Sequence, residues 1–174
     1  MTLLNDVAAL SQTAPGQVLS GQTRLSQARL RQLVAAVATR PENWAGLVRF
    51  GSDRRWYRRL ELADDYEIWL LSWLPGQGTG FHDHGHAAGA FAVAQGQVRE
   101  CTVPAGHVQV RERTVAAGRI RSFGPQYVHD VTNASAEPAA TVHAYSPPLT
   151  AMRRYELTAS GLVHTATERA EQDW

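Results

Sequence analysis

Lysine is absent from the 174-residue sequence, and cysteine occurs once, as Cys101. Without lysine the chain cannot form a lysine Schiff base or carry a P-loop lysine. A single cysteine excludes an intrachain disulfide framework, CxxC redox chemistry and a cysteine-rich zinc or iron–sulfur site. Any metal that this chain binds must therefore be held mainly by histidine, aspartate or glutamate side chains.

An excess of charge of either sign is also missing. The 17 basic and 16 acidic side chains leave a net charge of +1, which provides no electrostatic footprint for nucleic acid or an anionic membrane. No apolar run approaches the ~20 residues that span a bilayer. The first residues lack the basic n-region of a signal peptide, and Asp6 interrupts their short apolar stretch. We therefore expect a cytoplasmic protein with no nucleic-acid partner and no membrane partner.

The composition is that of a folded globular protein, with 44% hydrophobic and 19% charged residues. The length suits one domain and is short for two. We therefore interpret residues 1–174 as a single domain, with a helical region over residues 1–50 and a β-barrel over residues 51–165.

The N-terminal region has the apolar spacing of helices. Leucine and valine recur at helical spacing between residues 24 and 39, which predicts a helix there. Thr23 or Ser26 can cap its start, and Pro41 follows its end. Shorter helices are expected over residues 42–50 and 3–10.

After Gly51 the pattern becomes that of short β-strands. Stretches rich in Val, Ile, Tyr, Trp and Phe alternate with Gly, Pro and Asn at intervals of roughly ten residues, which indicates a sandwich or barrel. The predicted strands cover residues 56–62, 67–74, 80–84, 89–95, 97–103, 107–115, 119–123, 127–132, 139–145 and 152–158.

Three of the seven histidines fall in the run FHDHGH at residues 81–86. Side chains alternate faces along a strand, so His82 and His84 point the same way and one cation can bridge them. A bend at Gly85 is expected to carry His86 out of this row. An HxH pair is only moderately informative, because a histidine can equally be a satisfied core residue or a solvated one.

Two sets of residues around these histidines have the spacing of known motifs. The first set resembles the first motif of the cupin superfamily and consists of Gly76, His82, His84 and Gly96. The second set resembles the second cupin motif and consists of Gly118, Gly124, Pro125, His129 and Asn133. The resemblance implies an all-β core, a cupin-type β-barrel (double-stranded β-helix or jelly roll) with N-terminal α-helices, and a metal on His82, His84 and His129.

The sequence departs from the first cupin motif at one position. The motif usually has a glutamate three or four residues beyond the second histidine, where this chain has Ala88 and Gly89. The implied site is therefore three neutral imidazoles with no protein anion. Such a site retains Lewis acidity and leaves positions open for anionic substrates. Ligand softness alone leaves zinc, nickel, copper and ferrous iron as candidates.

Three further segments narrow the resemblance within the cupins. They are Trp56-Tyr57-Arg58-Arg59-Leu60, Trp73-Leu74-Pro75-Gly76 and His143-Ala144-Tyr145-Ser146-Pro147-Pro148. Together with the histidine motifs they make residues 50–150 similar to the cysteine dioxygenase type I family, in particular to its bacterial members. The family's chemistry implies a non-haem Fe(II) on the three histidines that adds both atoms of O2 to a thiolate, in cysteine catabolism. With L-cysteine the product is cysteine sulfinic acid. The implied partners are a small thiol and O2, and we expect a monomer.

The same resemblance assigns the other site residues. Arg58 matches the arginine that pairs with the substrate carboxylate, although Arg59 is adjacent and only one of them can face the cavity of a barrel. Thr141, His143 and Tyr145 match a relay in which Thr141 orients His143 and His143 holds the Tyr145 hydroxyl toward the substrate. We therefore expect Tyr145, His143 and Thr141 to be catalytic, with Arg58 and Tyr145 binding substrate.

Two backbone and side-chain details also follow from the resemblance. The Ser146–Pro147 bond is expected to be cis, as in family members. Gly89 stands where animal members have the cysteine that is cross-linked to the active-site tyrosine, so that cross-link cannot form here.

Three other functions compete with cysteine oxidation. The first is dioxygenation of another small thiol, either 3-mercaptopropionate or cysteamine, and a carboxylate partner at Arg58 argues against cysteamine. The second is a non-catalytic metal-binding cupin, which needs the histidines but not Arg58, His143 and Tyr145 together. The third is a zinc or manganese sugar isomerase, which the missing carboxylate ligand disfavours.

Overall fold

The computed structural model describes residues 24–104 and 106–169. The helix expected over residues 3–10 lies outside them. None of the helices in the described part of the chain is long and apolar enough to span a bilayer.

Helix α1 covers Gln27–Ala38, inside the predicted range of residues 24–39. Ser26 caps it, because its side-chain oxygen accepts a hydrogen bond from the Arg29 backbone N–H at 3.2 Å. Its buried residues lie at helical spacing and are Leu30, Leu33, Val34 and Val37. The predicted helix over residues 42–50 is wrong. The structure has a single 3-10 turn there, Pro41–Asn43, followed by turns that include Gly46, a poor helix former.

Eleven β-strands lie in the described residues, and we label them β1–β11 in chain order. They are β1 Tyr57–Leu62, β2 Glu67–Trp73, β3 Phe81–Asp83, β4 Ala88–Gln95, β5 Gln97–Thr102, β6 Arg111–Ala116, β7 Ile120–Phe123, β8 His129–Thr132, β9 Ala139–Ser146, β10 Ala151–Thr158 and β11 Gly161–Arg169. The first ten correspond to the predicted strands. The sequence analysis missed β11, whose residues are mostly exposed and polar.

The strands form two antiparallel sheets. The five-stranded sheet has the order β1-β2-β9-β4-β7, and the six-stranded sheet has the order β11-β10-β3-β8-β5-β6. Strands distant in sequence therefore lie side by side, which is the double-stranded β-helix, or jelly roll, of the expected cupin class. The two sheets form a jelly-roll sandwich rather than one closed barrel.

The two faces of the five-stranded sheet have different partners. Its outer face packs against α1 through small and branched residues such as Ile68, Leu70 and Val142. Its inner face faces the six-stranded sheet, and the second core cluster includes Trp73, Phe91 and residues of β5, β6 and β8. Polar residues of β2, β3, β8 and β9 that point inward therefore meet in one interior.

Candidate metal centre and substrate pocket

Three buried histidines meet in this interior. His82 lies on β3 and is the direct cross-strand partner of His129 on β8, while His84 follows the end of β3. One ring nitrogen from each of the three lies within 4.8 Å of the others. Exposed fractions are 4% for His82, 2% for His84 and 1% for His129. The structure thus brings together the three histidines that the motifs singled out, and leaves His86 exposed outside the group.

Burial keeps the rings of His82 and His84 neutral. Desolvation, followed by the charge of neighbouring histidines, lowers the pKa of His82 and of His84 well below the usual histidine value. Neutral imidazole is the form that binds a metal ion.

The hydrogen bonds of the histidine rings indicate which ring nitrogens are free to bind a metal ion. His82 donates from Nδ1 to the Gly80 carbonyl oxygen at 2.9 Å, which leaves Nε2 with a free lone pair. His84 has both ring nitrogens buried, and neither has a hydrogen-bond partner among the residues that the structure describes. A buried polar ring without partners costs stability unless something binds it. These observations fit a divalent metal ion held by the three rings.

A buried carboxylate lies behind His129. His129 Nδ1 is 3.0 Å from Oε1 of Glu100, which is fully buried on β5. Burial would raise the pKa of Glu100, but the hydrogen bonds and charges of His129 and Arg121 outweigh that effect and lower the pKa below its usual value. The sequence analysis missed Glu100. The two residues are 29 positions apart, and no local motif joins them.

A chain of hydrogen bonds runs along the inward face of β9. The Trp73 indole donates from Nε1 to Thr141 Oγ1 at 2.8 Å. Thr141 Oγ1 is 2.9 Å from His143 Nε2, and His143 Nδ1 is 3.1 Å from the Tyr145 hydroxyl. Thr141, His143 and Tyr145 alternate along β9 and are all buried, so the structure places the predicted trio in contact.

The direction in which these hydrogen bonds are donated can be assigned starting from the Trp73 indole. An indole N–H can only donate, so Thr141 Oγ1 accepts from Trp73. We assign the proton of Thr141 Oγ1 to His143 Nε2, which is the other hydrogen-bond partner of this hydroxyl among the described residues. His143 then carries its proton on Nδ1 and donates to the Tyr145 oxygen. Burial lowers the pKa of His143 and raises that of Tyr145, which keeps both groups neutral. The Tyr145 O–H therefore remains available as a donor.

One pocket joins two of the three clustered histidines, His82 and His129, to this chain of hydrogen bonds. It measures about 570 Å³ including its opening, and its lining includes His82, His129, His143 and Tyr145. Trp69, Leu71 and Met152 provide apolar walls. Among the described residues that line the pocket, the ones with permanent charge are arginines, Arg55 and Arg154.

Arg55 presents to this pocket a cation that has no ion-pair partner among the described residues. Its Nε and Nη1 atoms are buried and have no hydrogen-bond partner in the part of the chain that the structure describes. Its guanidinium lies over the Trp73 ring, 4.5 Å from the centroid. Burial lowers its pKa to about 10, so the side chain stays positive at neutral pH. Arg154 differs, because it donates to the Thr79 carbonyl oxygen at 2.9 Å and to Glu168 at 2.6 Å.

The predicted position of Arg58 in the pocket requires correction. Arg58 is exposed on β1 and pairs with Leu70, on the sheet face opposite to the pocket-lining pair of Tyr57 and Leu71. Alternation along the strand explains this, because neighbouring residues point to opposite faces. Arg59 is also exposed and lies 3.7 Å from Glu67.

Gly89 lies beside the Tyr145 ring. A Cβ atom there would overlap the ring of Phe123 and would lie 3.0 Å from Tyr145 Cδ1, so Phe123 occupies the space that a larger residue would need. The Phe123 ring stacks on His84 with centroids 5.0 Å apart. The Ser146–Pro147 bond is cis, which confirms that prediction.

A jelly-roll sandwich with three converging buried histidines inside it has the fold of a cupin and a cluster that could hold a metal ion. The family model for cysteine dioxygenase type I matches residues 17–158, and the chain belongs to that family. It is 26% identical over 140 residues to the cysteine dioxygenase type 1 of Danio rerio, with 73% of this chain and 68% of that protein covered.

Solved structures agree on the fold. A Klebsiella pneumoniae protein with a double-stranded β-helix domain matches with a TM-score of 0.53 and 19% identity, over 70% of this chain and 93% of that chain. An RmlC-like cupin from Desulfovibrio desulfuricans matches with a TM-score of 0.52 and 18% identity, over 62% of this chain and 95% of that chain.

Proposed function

We propose that this protein is a thiol dioxygenase that oxidises L-cysteine to cysteine sulfinic acid at an Fe(II) centre on His82, His84 and His129. The observation that carries the proposal is one pocket whose lining includes His82, His129, Tyr145 and Arg55. His84 completes the histidine cluster, and two buried nitrogens of Arg55 have no hydrogen-bond partner among the described residues. The reaction adds both atoms of O2 to the thiolate sulfur, RS⁻ + O2 → RSO2⁻, and needs no further reductant. Bound ferrous iron would supply the activation of O2 toward sulfur.

Arg55 binds the substrate carboxylate in this proposal. Its guanidinium is a planar fork that makes parallel charged hydrogen bonds to a carboxylate. The buried Nε and Nη1 atoms lack hydrogen-bond partners among the described residues, so a carboxylate would satisfy them. Burial also strengthens the attraction between the two charges, because the surroundings screen it less than water does.

The chain from Trp73 to Tyr145 orients a donor toward the same substrate. His143 accepts from Thr141 and donates to the Tyr145 oxygen, which leaves the tyrosine proton for the thiolate or for the oxygen added to it. The raised pKa of Tyr145 keeps that proton in place before substrate binds. Apolar walls from Trp69, Leu71 and Met152 limit the access of water to the sulfur.

The main alternative substrate is 3-mercaptopropionate, which has the thiol and the carboxylate of cysteine but no amine. The described residues that line the pocket include no carboxylate side chain that could pair with a substrate ammonium group. Cysteamine lacks a carboxylate and would leave Arg55 unpaired. A cytoplasmic location, a monomeric state and a role in cysteine catabolism stay predictions of the sequence.

Oxygen consumption tests the proposal directly. Protein loaded anaerobically with Fe(II) is mixed with O2 and either L-cysteine, 3-mercaptopropionate or cysteamine. We expect the fastest uptake with L-cysteine and a sulfinate product that carries both atoms of ¹⁸O2 by mass spectrometry. Faster uptake with 3-mercaptopropionate would change the substrate and keep the reaction. Iron-loaded protein that oxidises none of the thiols would favour a non-catalytic metal-binding cupin.

A further inference from the structure

The three histidines of the centre are held by different partners. His82 donates to a backbone carbonyl, and His84 has no hydrogen-bond partner among the described residues. His129 donates from Nδ1 to the Glu100 carboxylate at 3.0 Å. A carboxylate is a stronger acceptor than an amide carbonyl, so it draws the Nδ1 proton further and leaves Nε2 a stronger donor to a metal.

The Glu100 carboxylate is fixed as an anion by its other contacts. Oε2 accepts a hydrogen bond from Arg121 Nε at 2.9 Å and lies 3.6 Å from Arg113 Nε. Oε1 also accepts from the Tyr127 hydroxyl at 3.3 Å. Glu100 is itself completely buried, so its charge is satisfied by these partners rather than by water.

We propose that Glu100 is a positioning residue of the metal centre, which fixes the His129 ring with its proton on Nδ1 and makes it the strongest donor of the three histidines. The inference rests on the proposed metal site and adds a negative charge just outside the ligand set. A site described as three neutral imidazoles is therefore incomplete, because one of them shares its proton with a buried anion. Metal affinity should depend on Glu100 although Glu100 does not bind the metal.

The test removes the negative charge of Glu100 and keeps the size and shape of its side chain. Glu100→Gln retains an oxygen that can accept from His129 but removes the negative charge. Glu112→Gln is the matched control, because Glu112 lies exposed on β6 and pairs only loosely with Arg99 at 3.8 Å. Apoprotein of each variant is titrated with Co(II) and followed by its visible absorption, and urea unfolding of the apoprotein is measured in parallel.

We expect Glu100→Gln to lower Co(II) affinity ~10- to 100-fold, the usual effect of losing such an outer partner, and Glu112→Gln to leave it unchanged. In the iron-loaded protein, Glu100→Gln should also shift the Fe(III)/Fe(II) potential to a more positive value, because a nearby negative charge that stabilises Fe(III) is lost. A purely structural salt bridge would change urea unfolding and leave the Co(II) affinity per folded molecule and the potential unchanged, which would overturn the proposal.

A second variant keeps the test decisive if Glu100→Gln does not fold. Glu100→Asp preserves the charge for Arg121 but is one methylene shorter and withdraws from His129. Glu100→Asp should also lower Co(II) affinity, and wild-type affinity in this variant would contradict the inference.

If the wild-type protein itself failed to bind Co(II) or Fe(II), the proposed metal site would be wrong. Wild-type binding that Glu100→Gln leaves unchanged would overturn the role of Glu100 alone.

Discussion

The guanidinium of Arg55 lies 4.5 Å from the centroid of the Trp73 ring, and this contact joins two parts of the pocket. The same indole donates to Thr141 and so begins the hydrogen-bond chain that ends at Tyr145. One buried tryptophan therefore supports both the cation that would bind the carboxylate and the hydroxyl that would face the sulfur. A fully buried ring makes a rigid support for both groups.

Two neighbouring arginines provide a matched comparison for substrate binding. We expect Arg55→Gln to raise the KM for L-cysteine ~10- to 100-fold, because a buried charged hydrogen bond to the carboxylate is lost. Arg58→Gln should leave KM and kcat unchanged, since its side chain is exposed on the opposite face of β1. Steady-state oxygen uptake measures both. The reverse result would restore Arg58 to the role that the sequence suggested.

The direction of the relay can be tested at its first donor. Trp73→Phe keeps a ring beneath Arg55 but removes the N–H that holds Thr141 as an acceptor, so the hydroxyl can reverse and His143 can lose its preferred tautomer. We expect kcat to fall ~5-fold or more with little change in KM. Trp44→Phe is the control, since it removes a comparable hydrogen bond to Ala38 far from the pocket. Equal kcat values in the two variants would contradict the assigned direction.

Thr141 should be replaceable by serine but not by valine. Thr141→Val has nearly the same shape and leaves the Trp73 N–H and His143 Nε2 buried without partners, each at a cost of about 1–3 kcal/mol. We expect a lower urea midpoint and a lower kcat for Thr141→Val, while Thr141→Ser retains most of both. Urea unfolding and oxygen uptake measure these effects. A fully active Thr141→Val would show that the hydroxyl plays no part in the relay.

Close packing at Gly89 predicts a marked steric effect. Gly89→Ala places a Cβ atom against the Phe123 ring and 3.0 Å from Tyr145, in a core that cannot expand freely. We expect a loss of about 1–3 kcal/mol in the free energy of unfolding. Gly46→Ala is the control, because a Cβ at Gly46 meets nothing within 4 Å. Equal stability of the two variants would mean that Phe123 moves aside at little cost.

Metal removal should destabilise the protein through the histidine cluster. A ligand that binds only the folded state stabilises it by about 2.7 kcal/mol at a hundred times its Kd. We expect Fe(II) or Co(II) to raise the Tm of the apoprotein and a chelator to reverse the rise. In His84→Ala the metal should have no effect on Tm, although the variant is folded. A metal-dependent rise that survives in His84→Ala would place the ion elsewhere.

The histidine cluster and most of the strands could be predicted from the sequence, because the alternation of side chains along a strand is visible in it. His82 and His84 share a face by strand alternation, and the second motif supplies His129 from a separate strand. Several of the ten recognised strands, such as β2, β4 and β9, are rich in buried apolar residues. Strand β11 was not recognised, since its side chains are mostly exposed and its pattern carries little apolar signal.

The arginine in the pocket and the partner of His129 could not be predicted from the sequence, because both depend on how neighbouring strands are paired in register. Which arginine enters the pocket depends on which face β1 presents, and this is fixed by its pairing with β2, in which Tyr57 faces Leu71. Glu100 meets His129 because Thr102, two residues further along β5, is the cross-strand partner of His129. In sequence Glu100 follows Arg99 in an apparently charged strand, and nothing local indicates that it is buried.

The packing of Phe123 against Gly89 bears on how the protein matures. Without a sulfur at position 89, Tyr145 stays an unmodified phenol, held only by its neighbours and stacked on His84 with ring centroids 4.8 Å apart. The site therefore forms without a thioether cross-link between position 89 and Tyr145. Freshly made and aged preparations should consequently have the same covalent mass and the same specific activity, with no population awaiting oxidative processing.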